Sequence, residues 1–451
     1  MPSWYKEVKS EYGYPSATVL LDPRPDAPPM HEPGGPDTET KPLPSTPTST
    51  PSSRIHSPPK HSLFRLCHSL ASVVMHPIDF CTTGMFIIVL DTCLTNYCSR
   101  PAHVFIAEID ASSNAKSSFA DDIYPSPSAP DQTPFLNIPG GAGTYSALGA
   151  RVLSPSPQSK RVGWLVDAGH DFPSLLREII DSWDTAILLR SRDGLTTKGW
   201  NGYGANEHRA FKYLTPKLRI TAEDLSPELL TAKSFHLICA PARCIELVEG
   251  IKTRRAELGQ SLEEPLFIWE PVPDLCVPAE LDNTIKALEH VDIISPNHAE
   301  LSDIFSVVGN TESGDVDGQV IEDCSSKLLS GLSASRASKV SVVVRSGKDG
   351  CYVASASKRA WLPAFHAPTP DKVVDPTGGG NGFLGGLAIG LVRTGDVVEA
   401  SKWGNVAASF MIEQVGVPVL QTEGGKERWN GVVVEERMKE YSMRCETEGS
   451  R

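Results

Sequence analysis

Several things are scarce in this chain, and each scarcity removes a class of function. Positive charge is short: 42 basic residues stand against 55 acidic ones, a formal net charge of −13. That balance argues against nonspecific binding to nucleic acid or to an anionic membrane, so neither is expected as a partner. Long apolar runs are missing as well. The longest near the start, Met85 to Leu90, is far too short to cross a bilayer, and the first nine residues lack the apolar core of a secretion signal. Paired cysteine spacings are absent. The ten cysteines are scattered, and the closest pairs, Cys93/Cys98 and Cys239/Cys244, have neither zinc-knuckle spacing nor a histidine cluster beside them. Reduced thiols and a cytoplasmic location are the expectation. No repeat of 20–50 residues is visible, which sets aside solenoids and propellers.

What is present divides the chain. Residues 22–60 hold twelve prolines among Ser, Thr and Gly, too little apolar surface to offset the ordering entropy, so 1–79 is expected to be a disordered tail. From 80 onward short β-branched runs recur: Val162–Val166, Ala186–Leu189, Phe235–Cys239, Leu266–Trp269, Val291–Ile294 and Val340–Val344. Stretches of helical periodicity lie between them, at Phe172–Trp183, Cys244–Leu258, Glu280–His290 and Gln319–Leu332. Strand–helix alternation predicts an α/β domain over 80–425, with a mostly parallel sheet covered on both faces. The charged segment 426–451 reads as a frayed helix or tail. Residues 89–107 interrupt an otherwise continuous strand and leave two readings open, a retained intron or a genuine insertion.

The chemistry concentrates between Val373 and Gly395, an extended segment, a tight turn of Gly378, Gly379 and Gly380, then a helix with small residues on one side. Glycines there allow positive φ and close backbone approach by a ligand. The helix start behind them offers its first amides and its positive dipole end, an anion hole suited to phosphate. Gly385 and Gly386 permit close helix packing, and Gly395 is a plausible stop. A dinucleotide fingerprint fails: Gly141 and Gly143 are in place, but the third glycine position is Ser146.

The segment from Asp375 through Gly386 resembles the C-terminal signature of the PfkB (ribokinase-like) carbohydrate kinases, D-T-T-G-A-G-D-x-F-x-G-G. Asp375, Thr377, Gly378, Gly380, Phe383, Gly385 and Gly386 are in register. The spelling D-P-T-G-G-G-N is similar to that of a fungal subgroup, the maintenance-of-killer type. Pro139 to Arg151 resembles the family's early sugar-side motif through Gly140, Gly141 and Ala147, with Tyr145 in place of its Asn. Asn297 and Glu300 match N-x-x-E, Gly347 and Gly350 match T-x-G-x-x-G with Arg345 at the Thr, and Asn405 matches the helix beside the adenine.

That resemblance implies a three-layer α/β/α ribokinase-like fold with a small β lid, drawn from 108–137 and 185–205, through which a homodimer can form. It implies ATP and Mg²⁺ as cofactors and a sugar or nucleoside hydroxyl as acceptor. By the same resemblance Gly378, Gly379 and Gly380 form the anion hole, Asn297, Glu300, Gly347, Gly350 and Asn405 face the nucleotide, and Glu300 orders magnesium-bound water. Asp110, Gly140, Gly141 and Asp375 fall on the substrate side. The family's proton-accepting Asp falls on Asn381, whose amide has no basic oxygen at neutral pH. Losing a general base costs about 10²–10⁴-fold, so two outcomes stay open, a weakened kinase or a ligand-binding scaffold. On sequence alone, Asn381→Asp is expected to raise transfer at least about tenfold.

Overall fold

β-branched runs become strands because their branched side chains pack well on a pleated surface buried from both sides. The computed structural model describes residues 133–203, 209–216, 218–259 and 261–448, together with strands at 5–6, 19–20, 80–87, 105–108 and 120–124. Two compact units are distinguished, Met1–Ser72 and Val73–Arg451. In the first, Tyr5–Lys6 pairs antiparallel with Val19–Leu20; the rest of the expected 1–79 tail lies outside the described residues.

In the second unit the strands in chain order are β1 Phe80–Ile87, β2 Phe105–Glu108, β3 Ala120–Tyr124, β4 Phe135–Pro139, β5 Val162–Ala168, β6 Ala186–Ser191 and β7 Lys198–Tyr203. They continue as β8 Arg209–Tyr213, β9 Ser234–Cys239, β10 Leu266–Pro271, β11 Ile293–Ile294, β12 Ser341–Arg345, β13 Cys351–Ala354, β14 Arg359–Leu362, β15 Leu420–Glu423 and β16 Lys426–Trp429. The helices of seven or more residues are α1 Ala142–Val152, α2 Ser174–Ser182, α3 Pro241–Glu257, α4 Leu281–Leu288, α5 His298–Ile304, α6 Gly318–Ser330, α7 Gly379–Thr394, α8 Val397–Met411 and α9 Val434–Glu448.

A seven-stranded sheet runs β14-β13-β12-β11-β10-β9-β2. Its strands from β12 to β2 are parallel, and β13 and β14 turn antiparallel at one edge. Every residue of β9 is buried, the continuous burial of a parallel strand covered on both faces. Strand β5 pairs parallel with β1 and β6. Helices α1, α7 and α8 pack together as one group, while α3 packs with α4 and α5 with α6. This is the α/β architecture expected, with sequence-read helices such as Gln319–Leu332 observed within two residues, at Gly318–Ser330.

The small sheet is β8-β7-β3-β4. It differs from the expected lid in two places: Ala186–Ser191 pairs with β5 instead, and the lid extends to Tyr213 through β8. Of the doubtful segment 89–107, Phe105–Ala107 belong to β2, parallel to Phe235–Leu237; the remainder lies outside the described residues, as does Asp110.

Of the two C-terminal readings, a frayed helix or a tail, residues 426–448 take the helical one, forming β16 and α9; the segment is packed rather than frayed, with Trp429 and Tyr441 fully buried. Burying such a ring contributes on the order of 2 kcal/mol, enough for two apolar residues to anchor an otherwise charged segment.

Candidate active site

In parallel α/β sheets, side chains just past the carboxyl ends of strands meet at one edge, which is where ligands bind. Glu270 stands near the end of β10, Asn297 just after β11, and Arg345 at the end of β12. The glycine turn ahead of α7 comes to the same place.

Asp375 prepares that turn. Its Oδ1 accepts the Thr377 amide at 2.9 Å, and the Val374 amide donates to the Ile412 carbonyl at 2.8 Å. Gly378 then takes φ +80° as the N-cap of α7, and a Cβ there would collide with the Tyr145 ring. No side chain caps the helix; the Gly379 amide donates to the Pro376 carbonyl at 3.2 Å, which leaves the amides of Gly380 and Asn381 at the helix start. A pocket of about 480 Å³ opens on them, lined by Arg345, Gly347, Gly380, Phe383, Asn405 and Ile412 among others. Gly385 lies against the backbone of α1 at Ser146, and Gly386 against α8 at Gly404. The small-residue face of α7 thereby joins two helices.

Beneath the turn lies a buried polar cluster. Asn381 Nδ2 donates to Glu270 Oε2 at 2.9 Å. The same oxygen is 3.1 Å from His236 Nε2, and His236 Nδ1 is 3.1 Å from Ser146 Oγ. Arg345 Nη2 reaches Glu270 Oε1 at 2.9 Å and Glu300 Oε2 at 3.4 Å. Burial pushes the Glu270 carboxyl up, but the Arg345 charge and the neighbouring His236 and Asn381 outweigh it and hold it below the usual carboxylate range. Burial pushes His236 down, against the pull of Glu270, so the imidazole is neutral at pH 7. Glu270 and Glu300 against one guanidinium leave an excess of one negative charge.

Residues 270–422 match the model of the pfkB family carbohydrate kinases. The chain is 35% identical to Protein MAK32 of Saccharomyces cerevisiae over 324 residues, 68% of this chain and 86% of that one. The chain belongs to the pfkB family. It is also 42% identical to inositol 3-kinase of Arabidopsis thaliana, over 77 residues only, 17% of this chain and 21% of that one. Among solved structures, the ribokinase of Thermotoga maritima matches at TM-score 0.47 and 17% identity, covering 75% of this chain and 99% of that one.

Most of the residues picked from the pfkB motifs come together, though not all in the expected capacity. Gly347, Gly350, Gly379, Gly380 and Asn405 line the pocket. Asn405, however, gives its amide to the Tyr441 hydroxyl at 2.8 Å, a partner supplied by the segment read as a tail. Asn297 and Glu300 form a capping box on α5: the Glu300 amide donates to Asn297 Oδ1 at 2.8 Å and the Asn297 amide to Glu300 Oε2 at 2.7 Å. Asp375 serves the turn, and Gly140 and Gly141 form the approach to α1, Gly141 with φ +85°.

Sequence reading missed Glu270 and His236 and treated Arg345 only as a lost Thr. A signal for Glu270 existed: an acid between Trp269 and Pro271 at the end of a buried strand is costly unless paired. Among the described residues no group of three His, Cys, Asp or Glu side chains could cage a metal. The excess negative charge nevertheless suits a hydrated divalent cation carried in on phosphates, so Mg²⁺ fits as part of a nucleotide complex.

Proposed function

We propose that this chain binds ATP and transfers its γ-phosphate to a hydroxyl of a sugar or nucleoside, with turnover weakened by Asn381. One arrangement carries the reading: the pocket ends on the uncapped first turn of α7. Backbone amides at Gly380 and Asn381 would donate to phosphate oxygens, since helix starts favour anions, while the Gly379 amide holds the turn through the Pro376 carbonyl. The apolar Phe383 and Ile412, with Asn405, would flank the base. The acceptor would lie toward Gly140 and Gly141, because Tyr145 of the same helix abuts Gly378. Glu300, with Glu270, would hold the water shell of Mg²⁺, which when bound offsets phosphate charge. Phosphoryl transfer depends chiefly on positioning and charge stabilisation, and these survive here. Proton acceptance does not survive at Asn381 itself. Exposed Phe135 and Leu136 on the small sheet support a homodimer through it.

A second reading, a ligand-binding scaffold acting through other proteins, draws on the two amides of Asn381 and Asn405 being committed to internal partners. Calorimetry with MgATP, followed by transfer assays over sugars, nucleosides and inositol, separates the two. Transfer to one acceptor class supports the kinase; tight ATP binding without transfer to any supports the scaffold. Failure to bind ATP overturns both.

A further inference from the structure

Arg345 does more than replace a Thr. Its side chain is 12% exposed and lines the pocket. Every polar contact it makes among the described residues runs through Nη2, to Glu270, to Glu300 and to the Ser295 carbonyl at 3.0 Å. Nε is buried with no partner among the described residues. Nη1 lies against the glycine turn, so close that a Cβ on Gly380 would strike it. A guanidinium carries five donors in a planar fork, and this one is gripped by a single nitrogen while another faces the anion hole.

Resting on the ATP-binding reading above, we propose that Arg345 is a phosphate-recognition residue of this site, pairing with the terminal phosphate of ATP. Two carboxylates orient the guanidinium through Nη2, so little conformational freedom is lost when Nη1 meets an oxygen. Charge-assisted bonds of this kind are the strong ones. The consequence is selectivity for the triphosphate: ADP and adenosine have nothing at that position.

The test is calorimetry on the full chain with ATP, ADP and adenosine, run with magnesium chelated so that the guanidinium alone is read. Wild type should prefer ATP to ADP by about tenfold or more. Arg345→Met should reduce that preference to within about threefold while ADP affinity stays within about threefold. Because Met leaves two buried carboxylates without their cation, Arg345→Lys is the second variant. Its ammonium can pair with the carboxylates but not also reach the turn, so the preference should fall there too. An ATP-to-ADP ratio unchanged in either folded variant overturns the proposal. A parallel titration with magnesium present keeps the two readings apart: failure of wild type to bind MgATP overturns the nucleotide reading and this proposal with it, whereas binding of MgATP with no ATP-over-ADP preference in the chelated titration overturns this proposal alone.

Discussion

Two helices begin at the same edge of the sheet, and they are finished in opposite ways. Helix α5 closes its own start: Asn297 and Glu300 satisfy each other's backbone amides, as a capping box does. Helix α7 opens with Gly378 in the left-handed region and no side-chain cap; its Gly379 amide bonds the Pro376 carbonyl, and those of Gly380 and Asn381 follow it without a side-chain acceptor. One end is capped by side chains and the other is not. Arg345 joins them, paired with Glu300 of the closed end and touching Gly380 of the open one. The same guanidinium thus stands between an uncapped helix start, where the ATP-binding proposal puts the phosphates, and a start that caps itself.

The largest expected effect comes from closing the open end. Gly380→Asp adds a side chain where Arg345 sits and a negative charge where phosphate would bind. ATP affinity should fall about hundredfold or more by calorimetry; equal affinities would remove the site.

Next is the pair at the first turn of α7. Asn381→Asp, taken alone, sets a carboxylate at hydrogen-bond distance from Glu270, and two such groups share a proton rather than both ionise. The single variant should therefore gain less than tenfold in transfer, a revision of the sequence-based expectation. Asn381→Asp combined with Glu270→Gln restores a donor opposite an acid and should gain about tenfold to hundredfold. A single variant as fast as the double would show that Glu270 does not govern residue 381.

Acid should act on the cluster joining the two ends. The folded-state values of both Glu270 and His236 lie below their ordinary ones. The unfolded chain therefore binds more protons, and stability rises with pH. The His236 contribution is complete above the ordinary imidazole value of 6.5 and is lost as pH falls below it. The Glu270 contribution is complete above 4.5 and is lost below that. Urea unfolding from pH 8 to pH 4 should show stability declining on acidification, and His236→Gln should flatten the upper part of the slope.

The smallest effect tests the closed end. Asn297→Ala should cost about 1 kcal/mol of stability and leave ATP affinity within about twofold, read by thermal unfolding and calorimetry. An affinity loss larger than the stability loss would move Asn297 from scaffold to site.

Legibility followed distance along the chain. The run from Gly378 to Gly380 was readable because its work is done by backbone within one turn, and glycine advertises positive φ. Asn297 and Glu300 were readable as a spacing, yet the same spacing serves a cap, and only their mutual hydrogen bonds show the cap formed. Asn405 was placed in the pocket, but its amide partner Tyr441 lies 36 residues away, in a segment whose charge concealed its two anchoring rings.

Local features of this protein were determined by the sequence itself: strands where β-branched residues run, helices where apolar residues recur at helical spacing, and a left-handed N-cap at Gly378 where a run of glycines opens a helix. These depend on steric and hydrogen-bonding preferences among near neighbours. The cluster of His236, Glu270, Arg345 and Asn381 was decided only by tertiary structure. Its members sit on three parallel strands and a later helix, each strand separated from the next by a crossover. What an isolated acid, arginine or amide does depends on the partners that burial presents to it, and those partners are set by sheet order and register, which no local pattern encodes.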